Sequence, residues 1–260
     1  MTTTASGGGM PGAVLSEWTK AWSVRSTWWS LVGAGVLMAV TCLQLAIFTA
    51  NANGNDDPAD DKGVVTIGSV AIGAVDLGQF ALIGLAMLLI TAEYASGAIR
   101  TSLQWVPRRG VLLLAKTAVA AVIGGVAGTL LAAGGSVVGA VMLGRWGTFT
   151  FSTWLGEILA VGVYLALISV FALGIGALLR SSVGTLIVTF LILTILPASL
   201  KASDIEAVER AADFLPGLAG AAFMRGESET YPALAGLLIL AAWAVAAIIA
   251  GHLALRRRDA

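Results

Sequence analysis

Six apolar runs, each close to or beyond the length a helix needs to cross a bilayer, divide this sequence of 260 residues. They cover residues 28–50, 66–91, 111–143, 153–179, 183–200 and 231–255, where a span needs roughly 20 apolar residues. The chain is 58% hydrophobic and 12% charged, against about 45–50% and about 25% in soluble domains. That leaves too little polar surface for a soluble protein, and the sequence reads as an all-α membrane protein with six transmembrane helices. The third run would make roughly 50 Å of helix for a hydrocarbon core of about 30 Å. It must tilt or project, the expected place being its 109–116 end, where Lys116 would snorkel to the interface.

Orientation follows from the cations. With the N-terminus inside, the cytoplasmic segments hold Lys20, Arg25, Arg100, Arg108, Arg109, Lys116, Arg180, Arg256, Arg257 and Arg258. The other side holds only Lys62, Arg145, Lys201, Arg210 and Arg225. This asymmetry obeys the positive-inside rule and puts both termini in the cytoplasm. Many acidic residues, Asp56, Asp57, Asp60 and Asp61 among them, fall on the outer loops. The abundance of Arg, Ala and Gly fits a bacterial source, and hence the plasma membrane. A cleaved signal peptide is disfavoured, because the first apolar run exceeds the usual 7–15 residues and a long segment precedes it.

The domain reading is a disordered N-terminus (1–12), an amphipathic interfacial helix (13–27), a six-span domain (28–255) and a basic cytoplasmic tail (256–260). In the region 14–29, Val14, Leu15, Trp18, Ala21, Trp22 and Trp29 form one face, and Ser16, Thr19, Lys20, Ser23 and Thr27 the other. Tryptophans opposite a lysine suit a helix lying in the headgroup plane, with Trp18, Lys20, Trp22 and Arg25 as its anchors. Trp28 and Trp29 also read as aromatic-belt anchors of the first span.

Between the second and third spans lies an elbow. Gly97 is a hinge, 98–106 reads as a short helix with Ile99, Leu103 and Val106 on one stripe and Arg100 and Gln104 on another, and Pro107 stops it. Arg108 and Arg109 open the third span.

The order Glu93, Gly97, Arg100, Leu103, Pro107, Arg108, Lys116 resembles the loop between spans two and three of type-2 ATP-binding-cassette (ABC) exporter permeases. The run Glu17-Trp18-Thr19-Lys20, followed by Arg25-Ser26-Thr27-Trp28-Trp29, is similar to bacterial permeases of that class. The resemblance is local over residues 15–30 and 90–117, and covers the whole chain in layout. It implies a transport subunit that is not itself an enzyme. The segment 96–106 would be the coupling helix that docks on an ATPase subunit, with Glu93 and Arg100 as polar contacts and Gly97, Leu103, Pro107 and Arg108 shaping it. The sequence holds no Gly-x-x-x-x-Gly-Lys-Ser/Thr loop. The chain would therefore bind no cofactor, and ATP and Mg would sit on two copies of a partner ATPase. A homodimer, or a pairing with a paralogous permease, completes the assembly in the bilayer. Zero net charge gives no global field for nucleic acid.

On the outer side, Ser203 and Glu206 form a capping-box signature for a short helix carrying Ile205, Val208, Ala212 and Leu215 on one face. The apolar stretch 214–223, broken by Pro216, Gly217 and Gly220, is too short to span and suits a re-entrant element. By resemblance Phe214, Pro216 and Phe223 would belong to an outer gate; a plain folded cap is the other reading. Asp76 and Glu157 are the carboxylates near spans and fall toward the outer ends. A sixteen-residue stretch of the third span carries Gly124-x-x-x-Gly128 and Gly135-x-x-x-Gly139, which suit close helix packing. Cys42 reads as a packing residue and His252 as interfacial, and a single Cys and a single His cannot build a metal site.

Alternatives are an ion- or proton-coupled secondary transporter, a membrane-embedded enzyme and a non-transporting assembly subunit. Sparse buried charge and the lack of visible inverted repeats or broken helices speak against the carrier. One terminal His speaks against the enzyme. A pore lined by Ala, Val, Leu and Phe would favour amphipathic or hydrophobic cargo.

Overall fold

The computed structural model describes residues 9–55, 57, 59–106, 108–226 and 230–257. It is an all-α membrane protein with six helices long and apolar enough to span a bilayer among the described residues. In hydrocarbon every backbone polar group needs an internal partner, and helices supply one within each segment. The chain opens with α1 (Gly9–Ser23) and α2 (Arg25–Ala52), then α3 (Ile67–Ser96), the short α4 (Ile99–Trp105) and the long α5 (Arg109–Leu143). After α6 (Phe151–Leu179), the fifth span comprises α7 (Ser182–Phe190), a π-helical turn (Leu191–Ile195) and α8 (Leu196–Lys201). The short α9 (Glu206–Ala212) and α10 (Pro216–Arg225) precede α11 (Ala233–Arg257). A two-residue parallel pair, β1 (Val65–Thr66) with β2 (Gly147–Thr148), ties the α2–α3 and α5–α6 connections together.

The span positions match the apolar runs closely. Helix α1 begins earlier than expected, taking in Gly9–Gly12 from the segment read as disordered, and α11 runs through Arg256 and Arg257 of the expected tail.

Helix α6 is the most enclosed span and packs against α3, α5 and α11. Small residues set these distances. A Cβ on Gly124 would lie 2.8 Å from the Leu165 carbonyl oxygen, and one on Gly128 2.9 Å from Leu165 Cδ1, so this glycine pair seats α5 on α6. A Cβ on Gly135 would meet Cys42 Sγ at 2.7 Å, and one on Gly139 the Ile67 carbonyl oxygen at 3.1 Å, so the second pair seats α5 on α2 and on the start of α3. Both motifs are consumed inside the chain. Gly174 of α6 and Gly251 of α11 bring those backbones into contact.

The fifth span is broken, which the sequence reading did not anticipate. Pro197 lacks the amide that would continue the α ladder, and the helix widens over Leu191–Ile195 before it. Gly217, at the start of α10, lies against the Leu193 carbonyl, where a Cβ would stand 2.7 Å from the oxygen.

The expected capping box does not form. Ser203 Oγ accepts instead from the Ile205 amide at 3.3 Å, and α9 starts without a side-chain cap. Ala212 and Leu215 are buried as expected, whereas Ile205 is exposed.

Candidate functional site

The α1–α2 junction sits beside the α3–α4 corner, and four ionisable side chains meet there. Val24 takes an extended conformation between α1 and α2. Thr27 Oγ1 donates back across the bend to the Ala21 carbonyl, and the Trp22 and Trp28 rings pack 5.1 Å apart. The bend is thus clasped from both sides. The positions that α1 turns inward are Ala13, Glu17 and Ala21, at helical spacing. Leu15 and Trp18, expected on the same apolar face as Ala21, are exposed. The single stripe therefore splits, because Glu17 claims the inward face.

Lys116, on the second turn of α5, is 1% exposed. It does not snorkel to an interface. Its ammonium donates to Glu17 Oε2 at 2.6 Å, to Glu93 Oε1 at 2.8 Å and to the Leu89 carbonyl at 2.8 Å. Lys20 donates to Glu17 Oε1 at 2.7 Å, to Glu93 Oε1 at 3.2 Å and to Ser102 Oγ of α4 at 3.0 Å. Glu17 is 5% and Glu93 14% exposed, while Lys20 keeps 44% of its side chain in contact with the surroundings. Four elements, α1, α3, α4 and α5, are joined through these side chains.

Burying such groups costs several kcal/mol per ion, which only good geometry and filled hydrogen-bonding capacity offset. Here each ammonium has three donors and each finds three acceptors, so both lysines are saturated. Burial by itself would lower the Lys20 pKa, but the hydrogen bond and charge of Glu17, with the charge and hydrogen bond of Glu93, hold it above the ordinary lysine value.

Glu93 was expected as an outward polar contact for a partner. It is turned inward, where the buried Lys116 and the half-exposed Lys20 both donate to it. The α3 helix ends at Gly97 in the left-handed region (φ 74°), which frees the chain to turn into α4, as the hinge reading expected. Ile99 and Ser102 face inward on α4, and Arg100 and Gln104 are exposed. Arg108 is exposed at the start of α5, where its carbonyl accepts from Val111 and Leu112. The Leu103 side chain and Pro107 lie outside the described residues. Of the expected interfacial and belt anchors, Trp18, Trp22 and Trp28 form a row of edge-on and tilted ring contacts, with Trp18 and Trp22 5.6 Å apart, and Arg25 is exposed.

The same end of the molecule is tied across the bundle. Arg109 donates to the Leu255 carbonyl near the end of α11, a favourable place for a cation. The His252 ring lies 3.2 Å from where a Cβ on Gly110 would be. Arg180, left-handed at the end of α6 (φ 57°), places its guanidinium 4.7 Å from the centre of the Tyr94 ring.

Between the bend and the α3–α4 corner lies a cavity of about 390 Å³. Leu85, Leu88 and Leu89 make its apolar wall, and Glu17, Lys20, Glu93, Ser102 and Lys116 its polar part. A cleft of about 310 Å³ runs between α1 and α4 along Ser16, Lys20, Thr101 and Val106.

At the opposite end, the Glu157 carboxylate accepts from Thr66 Oγ1 and rests on Gly68, at the N-terminus of α3. A helix N-terminus stabilises negative charge, so this carboxylate has a structural role. Asp76 lies within the first third of α3, nine residues or roughly 14 Å from its start, and is exposed. Beneath it, Tyr164 donates to Gln79 Oε1 at 2.7 Å. The Phe214 ring meets that of Tyr231 at a tilt, 5.7 Å between centres, and its carbonyl accepts from Trp243 Nε1, while Pro216 is buried at the start of α10 and Phe223 packs on the core. Lys201 pairs with Asp213 at 2.9 Å, binding the end of α8 to the α9–α10 junction.

Sequence reasoning missed Glu17 and Ser102 as members of the cluster. The usable signal was Glu17 between Ala13 and Ala21 at four-residue spacing, with a lysine three residues on. No metal-binding group of three or more His, Cys, Asp or Glu occurs among the described residues. Comparison with protein-family models and with curated proteins returns no match.

Proposed function

We propose that this chain is the transmembrane permease subunit of an ATP-driven exporter of the type-2 ABC class, sitting in a bacterial plasma membrane with both termini in the cytoplasm. A separate ATPase subunit, in two copies with ATP and Mg, supplies the motor, and two permease chains complete the transporter. The cargo is amphipathic or hydrophobic.

The observation that carries this reading is the four-charge cluster. A load applied to α4 reaches the ends of α3 and α5 through Ser102, Lys20, Glu93 and Lys116, instead of dissipating in a flexible loop. Arg100 and Gln104 stand on the exposed side of α4, where a soluble partner would grip it. Glu93 then acts as an internal link and not as a contact.

The test is copurification of the tagged chain with an ATPase, followed by nucleotide hydrolysis in the assembled complex. Arg100→Glu, or deletion of residues 96–106, should abolish assembly or coupled transport while membrane insertion persists. Normal export by either variant overturns the coupling assignment. A second reading, an ion-driven carrier, draws on the exposed Asp76 inside α3 and the π-helical break in the fifth span. Transport that needs no ATPase and collapses with an uncoupler would favour it.

A further inference from the structure

At the end of the molecule that holds the α1–α2 bend, arginines from the ends of α5, α6 and α11 gather. Arg109 donates to the Leu255 carbonyl, and Arg180 lies over the Tyr94 ring. The charge of Arg109 also acts on that tyrosine, and Gly251 seats α11 on Gly174 and Ala177, just short of Arg180. Arg108 and Arg256 adjoin the bonded Arg109–Leu255 pair in the sequence, and both are exposed, together with Arg257. The carboxylates at this end among the described residues, Glu17 and Glu93, are spent on Lys20 and Lys116. The carboxylate next in the sequence, Asp259, is matched by Arg258 beside it. The surface is therefore cationic, and Arg108, Arg256 and Arg257 make no ion pair among the described residues.

What lies beside the arginines sets their level. Each of the three helices carries an exposed leucine just inside its arginine: Leu114 in α5, Leu179 in α6 and Leu253 in α11. Leucines facing hydrocarbon with arginines at their rim put the guanidinium groups among lipid headgroups. There the planar fork of arginine meets phosphate oxygens two at a time. We propose that this surface binds an anionic phospholipid, its phosphate held by Arg108, Arg256 and Arg257 and its chains lying against the leucines inside them. A zwitterionic lipid brings a cation of its own to a cationic surface and is held less tightly. The inference rests on the six spans and not on an ATPase partner.

The experiment is native mass spectrometry of the purified full chain in detergent, titrated with phosphatidylglycerol or phosphatidylcholine of the same acyl chains. The first phosphatidylglycerol adduct should form at about twenty-fold lower concentration, since each arginine at a membrane surface is worth about five-fold. Arg108→Gln and Arg256→Gln should each cut that preference about five-fold and together bring the two lipids nearly level. Both side chains are exposed, so the melting temperature in detergent should hold, and Arg257→Gln carries the same expectation if either variant fails to fold. Arg25→Gln, which removes an exposed arginine from the bend at the same end, should leave the preference intact. Equal uptake of the two lipids by the parent chain, a preference that survives the double substitution, or an equal loss with Arg25→Gln overturns the proposal. So does displacement of the adduct by equimolar glycerol phosphate, which would make the site one for soluble anions.

Discussion

Lys116 shows how far one side chain can bind a fold together. A lysine at 1% exposure, bonded three times among Glu17, Glu93 and a backbone carbonyl, cannot be removed without leaving two carboxylates to share the one remaining cation, Lys20. Lys116→Met is expected to lose about 3–5 kcal/mol, the usual penalty for breaking a buried pair from one side. Adding Glu17→Gln should return part of that loss, since it removes the excess negative charge and leaves Lys20 paired with Glu93. Chemical unfolding in detergent checks both, and a Lys116→Met protein as stable as the parent would show that the cluster holds nothing. The sequence put Lys116 near the right end of the right span but read it as snorkelling, because a single cation near a helix end usually does so. What it could not show was that Glu17 and Glu93, 99 and 23 residues away, converge on the same point. Ion pairing over such separations leaves no periodic trace.

Among the elements, helix existence was legible from apolar run length, while helix faces and irregularities were not. The end of α5 at Leu143 and that of α6 at Leu179 coincide with the ends of the apolar runs, because length and hydropathy alone determine them. The inward face of α1 was misjudged because a helix at a boundary has lipid, water and protein as neighbours, and hydrophobicity separates only the first two. The π-helical turn went unseen because its cause, Pro197, reads in sequence only as a span terminus. Packing between elements gives a direct expectation. A Cβ on Gly174 would stand 2.5 Å from the Ala247 carbonyl carbon, and backbone cannot move aside as a side chain would. Gly174→Ala should therefore destabilise by about 1–3 kcal/mol by forcing α6 and α11 apart. Gly84→Ala, in α3 with nothing within 4 Å, is the control and should be neutral or stabilising by up to about 1 kcal/mol. Thermal unfolding of the two variants side by side decides it, and equal behaviour would refute the close contact.

For the whole molecule, six spans place the α1–α2 bend and the α6–α7 turn on one side and the α2–α3 and α8–α9 connections on the other. Cys42 is fully buried, with Gly135 against its sulfur, so the parent protein should resist maleimide until unfolded. In a Cys42→Ala background, Ser23→Cys and Ser181→Cys should label from one face of a sealed vesicle, and Ala59→Cys and Ala202→Cys from the other. Any other partition refutes the arrangement. The layout was legible because each crossing is encoded locally, whereas the elbow cavity was not, since its walls come from three separate stretches of chain.

The charged cluster also orders events during synthesis. Glu17 leaves the ribosome long before Lys116 exists, with only Lys20 beside it to neutralise its charge. The first helix thus has no seat until the third long one is threaded in, and the newborn chain must carry its leading segment undocked through two membrane crossings.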